Sequence, residues 1–194
     1  MGLIEIPPGQ VGAVVTYLQM TERPMPRPLP ATRLAIRRWA NISPAQYRLL
    51  FERVGGPWLW FSRLQMDDAT LSANIGELHA VVDRAGVEVG MIELDFPEAG
   101  LCLIRFLGLV PELAGKGNGE WLISQTLSLA WRKDVNRVRV HTCSLDHPAA
   151  LPVYLKAGFQ PYQRAFESFP DPRLLGLLPR TTAPQIPLID GALG

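Results

Sequence analysis

The sequence predicts an α/β (α+β) protein built on a mixed, mostly antiparallel central sheet with helices packed on both faces. Three apolar segments at residues 78–84, 87–96 and 101–109 are joined by connections of hairpin length, which predicts antiparallel neighbours. Helix and strand patterns follow up to residue 166, without the strict alternation of a doubly wound sheet. The 194 residues, 47% of them hydrophobic, suffice for one domain with a substantial core.

The N-terminal elements are a strand and two helices. β-branched and aromatic residues predict a strand over residues 11–20. Ser43 followed by a proline is a strong helix start, and this helix is expected to run to about Val54. An aspartate at position 67 or 68 is expected to cap a second helix that ends near Ile75.

The C-terminal half is predicted to contain two further helices and two further strands. The helices cover residues 118–133 and 147–157, and the strands cover residues 137–143 and 159–166. We therefore expect a single domain over residues 1–168 and a proline-rich C-terminal tail over residues 169–194, either wrapped on the body or disordered. Alternating prolines over residues 23–30 predict an extended, exposed connector.

Composition limits the possible partners and compartments. Lys and Arg number 19 against 18 Asp and Glu, which argues against binding nucleic acid through bulk charge. No apolar run approaches the roughly 20 residues of a membrane span, and the N-terminus lacks a signal-peptide pattern. Cys102 and Cys143 lie in apolar strand patterns and are expected to be reduced core thiols. The expected location is the cytoplasm.

A glycine-rich turn follows the strand over residues 101–109 and leads directly into a helix. The first amides of a helix have no intrahelical partner and the helix dipole is positive there, so such a turn suits a phosphate group. Gly115, Gly117 and Gly119 alternate, and Lys116 adds positive charge. The spacing fits neither a Rossmann nor a Walker loop. The alternative is a flexible turn with no ligand.

The helix over residues 147–157 carries a second candidate group. Asp146 or His147 is expected to cap it, and Gly158 to end it. Ala150 and Tyr154 are four residues apart and share one face. Tyr154 is therefore either a functional phenol or a core tyrosine whose hydroxyl bonds to the backbone.

Together, these two segments resemble the GNAT family of acetyl-CoA-dependent N-acetyltransferases. The family's phosphate motif, Arg/Gln-x-x-Gly-x-Gly/Ala, falls on residues 114–119. Its second motif, Asn-x-x-Ala-x-x-Leu-Tyr-x-x-x-Gly-Phe, falls on residues 147–159 with every interval kept. The resemblance implies a sheet of about seven strands in which the fourth and fifth strands splay apart.

The resemblance also implies a ligand, acetyl-CoA, as a cosubstrate without a metal. Its pantetheine arm is expected to pair with the backbone of Leu107 and Leu109 like an added strand, and His147 and Tyr154 are expected to contact it. The pyrophosphate is expected on the backbone amides of Ala114, Gly115, Lys116, Gly117, Asn118 and Gly119. The acceptor is a primary amine of a small molecule or a protein, which attacks the thioester directly in a ternary complex. The resemblance leaves a homodimer open.

Two catalytic groups are expected for such a reaction. Tyr154 falls where many family members keep a general acid, which would protonate the departing thiolate. Leu103 falls where several members carry a glutamate base, so the base must come from elsewhere. Glu93 is the predicted base, since it alternates with Asp95 on the third predicted strand and both could hold an amine through water. The alternative for both is a pair of solvated carboxylates at a strand end.

The roles of several other candidate residues are open. His141 is either a cleft group or a satisfied core histidine, and Arg105 could mark an anionic substrate. The aromatic cluster over residues 57–61 either lines an acceptor pocket or, as we expect, packs under a helix.

The chain departs from the family pattern at three positions. Ala114 replaces the usual Arg or Gln, His147 replaces the usual Asn, and the base at Leu103 is missing. The altered Ala114 and the missing base favour a second function, a catalytically silent acyl-CoA-binding sensor or interaction module. Tyr154 favours the transferase, because a silent module gains nothing from a thiolate acid. A dinucleotide-binding oxidoreductase fails on element order and glycine spacing.

Overall fold

The computed structural model describes residues 2–25, 28, 31–114 and 116–190. Its strands are β1 (Gln10–Met20), β2 (Ala35–Arg38), β3 (Glu77–Val82), β4 (Glu88–Asp95), β5 (Leu101–Leu109), β6 (Arg137–Cys143) and β7 (Gln160–Pro170). Its helices are α1 (Pro44–Gly55), α2 (Asp68–Asn74), α3 (Asn118–Ala130) and α4 (Ala150–Ala157). Within these residues, no helix has the length and apolar character needed to cross a membrane.

The strands form one mixed seven-stranded sheet in the order β2-β3-β4-β5-β6-β1-β7. All neighbours are antiparallel except β5 and β6, which are parallel. The predicted fold class is therefore confirmed. Strand β2 does not appear in the sequence prediction, because four residues that include two arginines are too short to show an alternating pattern.

Strand β1 lies far from its sequence neighbour β2. It is inserted between β6 and β7 and pairs antiparallel with both, so that Val15 lies opposite Cys143 on one side and Ala165 on the other. The connection to β2 must therefore cross to the opposite edge of the sheet. Of the predicted connector, Met25 is exposed, whereas residues 26, 27, 29 and 30 lie outside the described part of the chain.

The helix starts that the sequence predicts are present in α1 and α2. Ser43 forms a capping box with Gln46, and Pro44 occupies the first turn of α1. Asp67 accepts a hydrogen bond from the Thr70 amide at 2.7 Å and caps α2. Each cap satisfies backbone donors that the helix leaves unpaired.

Several predicted element bounds need correction. Helix α3 ends at Ala130, before the predicted end at residue 133, because the backbone of Trp131 leaves the helical conformation. Helix α4 begins at Ala150, because neither predicted cap acts as one. The Asp146 carboxylate accepts hydrogen bonds from Thr142 and Cys143, and the His147 ring accepts one from the Ala149 amide, which precedes the helix. Strand β7 continues to Pro170, past the predicted end at residue 166 and two residues beyond the expected domain boundary. Pairing with β1 provides its backbone partners over this length.

The main core lies between the sheet and the helices, and a smaller cluster lies beside it. Leu18, Phe51 and Ile92 are among the fully buried residues of the main core. The smaller cluster contains Val11, Leu59, Leu178 and Ala183. Because two of these belong to the C-terminal segment over residues 171–190, this segment packs on the body of the protein.

Candidate functional site

A cavity of about 640 Å³ lies where β5 and β6 separate. The ladder between the two strands runs from Leu101–Arg137 to Ile104–Val140 and ends there, although β5 continues to Leu109 and β6 to Cys143. The later residues of both strands line the cavity. In the described part of the chain no strand covers this edge of β5, so its backbone groups are free to pair with an extended ligand.

A bulge in β5 lies where the strands begin to separate. Glu93 pairs with Phe106, whereas the next residue, Leu94, pairs with Ile104, so that Arg105 is the extra residue. The Arg105 side chain lines the cavity, but its guanidinium lies 3.3 Å from the Asp95 carboxylate. An anionic substrate would therefore compete with Asp95 for Arg105.

The glycine-rich turn borders the same cavity. Gly117 adopts a left-handed conformation with φ of 75° and precedes the first residue of α3 without a side-chain cap. The Asn118 amide group donates to the Leu113 carbonyl at 3.0 Å and holds the turn together. The first amides of α3 are thus left without a capping side chain and are available to an anion.

The structure brings most of the predicted ligand residues to this cavity. The predicted residues that line it are Leu107, Leu109, Ala114, Gly117, Gly119, His147 and Tyr154. Lys116 is exposed and lies next in sequence to the lining residue Gly117. Asn118 does not line the cavity but holds the turn in place through its hydrogen bond to Leu113. Gly115 lies outside the described residues. That these residues bind a cofactor stays a prediction.

Tyr154 is 7% exposed and lines the cavity from α4. Its ring packs edge-on against Phe159, with the ring centroids 5.8 Å apart. Burial, and then the charge of Asp146, raise the pKa of the Tyr154 hydroxyl above its usual value of 10.0. This phenol is therefore a proton donor over the whole neutral range.

Asp146 is a site residue that the sequence suggests only as a helix cap. Its carboxylate accepts hydrogen bonds from Trp60 Nε1 at 3.0 Å, Thr142 Oγ1 at 2.7 Å and the Cys143 amide at 2.8 Å. It thereby joins the segment after α1 to the connection between β6 and α4. No local pattern indicates a partner 86 residues away.

Three aromatic rings, Trp58, Phe61 and Phe169, form an aromatic wall of the cavity. The Trp58 ring lies edge-on to His147 with centroids 5.0 Å apart, and the Phe61 ring lies 4.9 Å from Phe169. The His147 Nδ1 atom accepts the Ala149 amide at 3.0 Å. The predicted aromatic cluster thus lines the cavity, and Trp60 also packs against Phe51 of α1, with the ring centroids 5.5 Å apart.

The structure corrects the expected surroundings of Glu93. Its side chain is fully buried, accepts hydrogen bonds from Arg63 at 2.6 Å and Tyr47 at 2.5 Å, and does not line the cavity. Burial, and then Glu93, raise the pKa of the Tyr47 hydroxyl. Glu93 is therefore one half of a buried ion pair, because its side of β4 is covered by α1. Alternation in sequence cannot distinguish a covered face from a cleft.

Glu167 on β7 is a cavity residue that the sequence prediction missed. It is exposed, lines the cavity and lies opposite Ala13 of β1. His141 of β6 also lines the cavity, beside the Tyr17 ring. Glu167 was missed because the predicted last strand ends at Phe166, one residue too early.

Comparison with family models identifies one match. The acetyltransferase (GNAT) family model matches residues 37–159, from β2 to the residue before β7. This range contains the separated ends of β5 and β6, the glycine-rich turn and α4. No curated protein matches the chain in sequence.

Solved structures share the fold at low sequence identity. A GCN5-related N-acetyltransferase from Sphaerobacter thermophilus is 17% identical with a TM-score of 0.57, covering 84% of this chain and 52% of that one. One from Kribbella flavida is 14% identical with a TM-score of 0.55, covering 87% and 63%. A tandem GNAT protein from the clavulanic acid biosynthesis pathway is 18% identical with a TM-score of 0.53, covering 86% and 54%. The chain thus spans about half the length of the Sphaerobacter protein.

Proposed function

The chain belongs to the acetyltransferase (GNAT) family, and we propose that it is an acetyl-CoA-dependent N-acetyltransferase that moves an acetyl group to a primary amine by direct attack in a ternary complex. One observation carries the proposal. A single cavity is lined by the free edge of β5, the glycines before and within the first turn of α3, and the Tyr154 phenol. The edge of β5 would pair with the arm that carries the thioester, the glycine-rich turn would bind the pyrophosphate, and the Tyr154 phenol would protonate the leaving thiolate.

The chain's residues fit the cosubstrate along its length. The backbone of Leu107 and Leu109 offers donors and acceptors to the amide groups of a pantetheine arm, as an added strand would. The amides of Gly117, Asn118 and Gly119 lie at a helix N-terminus that suits phosphate. Ala114 removes a side chain from this turn and leaves the backbone donors in place, so phosphate binding does not depend on the family's Arg or Gln.

His147 has a more limited role than the asparagine it replaces. One ring nitrogen, Nδ1, is occupied by the Ala149 amide, and the ring packs on Trp58. We propose that His147 shapes the cavity and offers its Nε2 atom to the ligand.

Tyr154 supplies the proton that the leaving thiolate needs. Because its pKa is raised, the hydroxyl is protonated when the thioester C–S bond breaks. The Asp146 carboxylate disfavours a lasting phenolate, so we expect the proton transfer to accompany bond cleavage rather than to precede it.

Replacing Tyr154 by Phe tests the proposal. We expect the turnover of acetyl-CoA with an accepted amine to fall about 100-fold, because a general acid typically contributes between 10² and 10⁴. The dissociation constant for acetyl-CoA, measured by calorimetry, should change by less than about twofold. Tyr162→Phe, at an exposed tyrosine of β7 outside the cavity lining, is the matched control.

Two other outcomes would contradict the proposal. Unchanged turnover in Tyr154→Phe would make Tyr154 a packing residue. Tight acetyl-CoA binding without acetyl transfer across a broad panel of amines would support the acyl-CoA-binding sensor or interaction module instead.

A further inference from the structure

The carboxylates that line the cavity are not equivalent. They are Glu120, Asp146 and Glu167. Glu120 forms an ion pair with Lys156, and Asp146 accepts three hydrogen bonds from protein groups. Glu167 has neither an ion pair nor a hydrogen bond to its carboxylate in the described part of the chain. One negative charge in the cavity is therefore free to receive a cation.

The sheet register places this charge next to the aromatic wall. On β1, Val11 and Ala13 alternate on one face, and their partners on β7 are Phe169 and Glu167. Residues directly opposite each other share a face of the sheet, so Glu167 and Phe169 project to the same side. Burial, and then the charges of Asp146 and Glu167, raise the pKa of the Cys143 thiol to about 11. The contribution of Glu167 agrees with its carboxylate lying near Cys143 of β6.

The aromatic wall beside Glu167 is only partly covered by protein. Trp58, Phe61 and Phe169 are each half-buried and each borders the cavity. Flat apolar surfaces of this kind bind flat or apolar ligand groups and also attract ammonium ions to the ring faces.

We propose that this part of the cavity is the acceptor site, that Glu167 receives the ammonium group of the acceptor and removes its proton, and that the acceptor is a small monoamine with an apolar, preferably aromatic, body. The inference rests on the proposed acetyl transfer and names its acceptor class. A polyamine would bring further ammonium groups to a cavity in which the other carboxylates are already occupied. An amino sugar would bring several hydroxyl groups to three rings among which only the Trp58 indole N–H can form a hydrogen bond.

The proton balance of the step involves two protein groups. The Glu167 carboxylate takes one proton from the ammonium group and later releases it to solvent. The nitrogen lone pair forms the C–N bond to the acetyl carbonyl carbon, and the C–S electron pair leaves with sulfur. Tyr154 donates its proton to sulfur and recovers one from the nitrogen. The products are an N-acetyl amine, the CoA thiol and one proton.

The acceptor class is tested on the full chain with acetyl-CoA and three amines. The probes are 2-phenylethylamine, spermidine and glucosamine, and the measurements are thiol release and the mass of the acetylated amine. We expect kcat/KM for 2-phenylethylamine to exceed the other two values at least about tenfold, since apolar contacts that one substrate lacks commonly discriminate by this factor or more. An equal or higher value for spermidine or glucosamine would overturn the acceptor class.

The role of Glu167 is tested with Glu167→Gln, which keeps the size of the side chain. We expect kcat with 2-phenylethylamine to fall about 100-fold, as for the loss of a general base, with the acetyl-CoA dissociation constant unchanged. The matched control is Glu98→Gln, an exposed carboxylate in the turn between β4 and β5 that does not line the cavity. Unchanged kcat in Glu167→Gln would overturn the assignment.

The role of the aromatic wall in acceptor binding is tested with substitutions of two phenylalanines of β7. Phe169→Leu keeps an apolar side chain but removes the flat ring, and we expect it to raise KM for 2-phenylethylamine several-fold with little change in kcat. Phe166→Ala is the control, because Phe166 is 46% exposed and lies opposite Val14 on the other face of the sheet. An equal rise in KM for both variants would overturn the wall as the acceptor site.

Failure of the inference differs from failure of the proposed function. Absence of acetyl-CoA binding would overturn both. Binding of acetyl-CoA with transfer only to spermidine or glucosamine would overturn the inference and leave the transferase in place.

Discussion

At the scale of single residues, Glu93 is held by three partners and by complete burial. Arg63 and Tyr47 donate to its two carboxylate oxygens, and the Gly76 amide donates at 3.2 Å. Arg63 is itself only 1% exposed and follows directly after the cavity residues of the segment between α1 and α2. A charge buried this deeply is tolerated only with a partner, so the pair anchors this segment to the sheet.

Removing one partner of this pair should be costly for folding. We expect Glu93→Ala to lower the free energy of unfolding by about 3–5 kcal/mol, because Arg63 is left buried without a counter-charge. Denaturant unfolding measures this value. The exposed Glu98→Ala should change it by less than about 0.5 kcal/mol. A Glu93→Ala protein of unchanged stability but without turnover would contradict this structural role and support the predicted role of Glu93 as a base.

At the scale of elements, the cavity depends on how β5 and α3 end and begin. The bulge at Arg105 and the end of the β5–β6 ladder at Ile104 leave the β6-facing edge of the later part of β5 unpaired, although β4 still pairs with its other edge. The turn that follows delivers the N-terminus of α3 to the same cavity, next to α4. A Cβ atom added at Gly119 would lie 3.5 Å from Val153 Cγ2, an ordinary contact.

This geometry allows a substitution that separates ligand binding from folding. We expect Gly119→Glu to weaken acetyl-CoA binding roughly 100-fold, about 2.7 kcal/mol, because it brings a negative charge to the amides that we propose as the pyrophosphate site. The melting temperature should not fall, because an acidic residue in the first turn of a helix is stabilising. Calorimetry and thermal unfolding measure the two effects.

Gly119→Ala is the control for the added side chain. It should bind acetyl-CoA far more tightly than Gly119→Glu, since it adds no charge. If the glutamate variant binds as tightly as the unchanged protein, the first turn of α3 is not the phosphate site.

At the scale of the whole molecule, the C-terminal segment supports one side of the cavity. Arg173 is buried, pairs with Asp171 at 2.7 Å and donates to the carbonyl groups of Thr182, Ala183 and Ile186. Ala183 in turn packs in the small cluster with Leu59, which lies between the cavity residues Trp58 and Trp60. The segment after β7 therefore helps to position the aromatic wall.

The Asp171–Arg173 pair should make stability depend on pH in the acid range. Burial by itself would raise the pKa of Asp171, but the hydrogen bonds and charge of Arg173 outweigh it, and the pKa is lowered from 3.8. A carboxyl group with a lowered pKa in the folded state stabilises the fold above its unfolded pKa and loses this contribution as the pH falls through the folded pKa. The contribution is thus complete at neutral pH.

We therefore expect Asp171→Asn to be less stable than the unchanged protein at pH 7, and the difference to shrink as the pH falls below 3.8. Urea unfolding of both proteins at several pH values measures it. Parallel stability curves over this range would show that the pair has no linked protonation.

Some features of the fold and of the candidate site could be predicted from the sequence, and others could not. The start of α1, the strand β6 and the glycine turn before α3 follow from signals within a few residues, and the structure has them where the sequence predicts them. The start of α4 was misplaced because Asp146 binds Trp60, Thr142 and Cys143 instead of the helix amides. The hydrogen-bond partners of such a side chain can be identified only when the positions of all the possible partners are known.

The sequence by itself determined the fold class, the family resemblance and the position of Tyr154 four residues before Gly158, because periodicity, caps and motif spacing are properties of neighbouring residues. Only the tertiary structure decided which carboxylate meets the cavity. Glu93 and Glu167 both lie on strands, but α1 covers one and β1 places the other beside the aromatic wall. Which face a helix or a distant strand covers is set by contacts between residues far apart in the chain, and no local pattern carries that information.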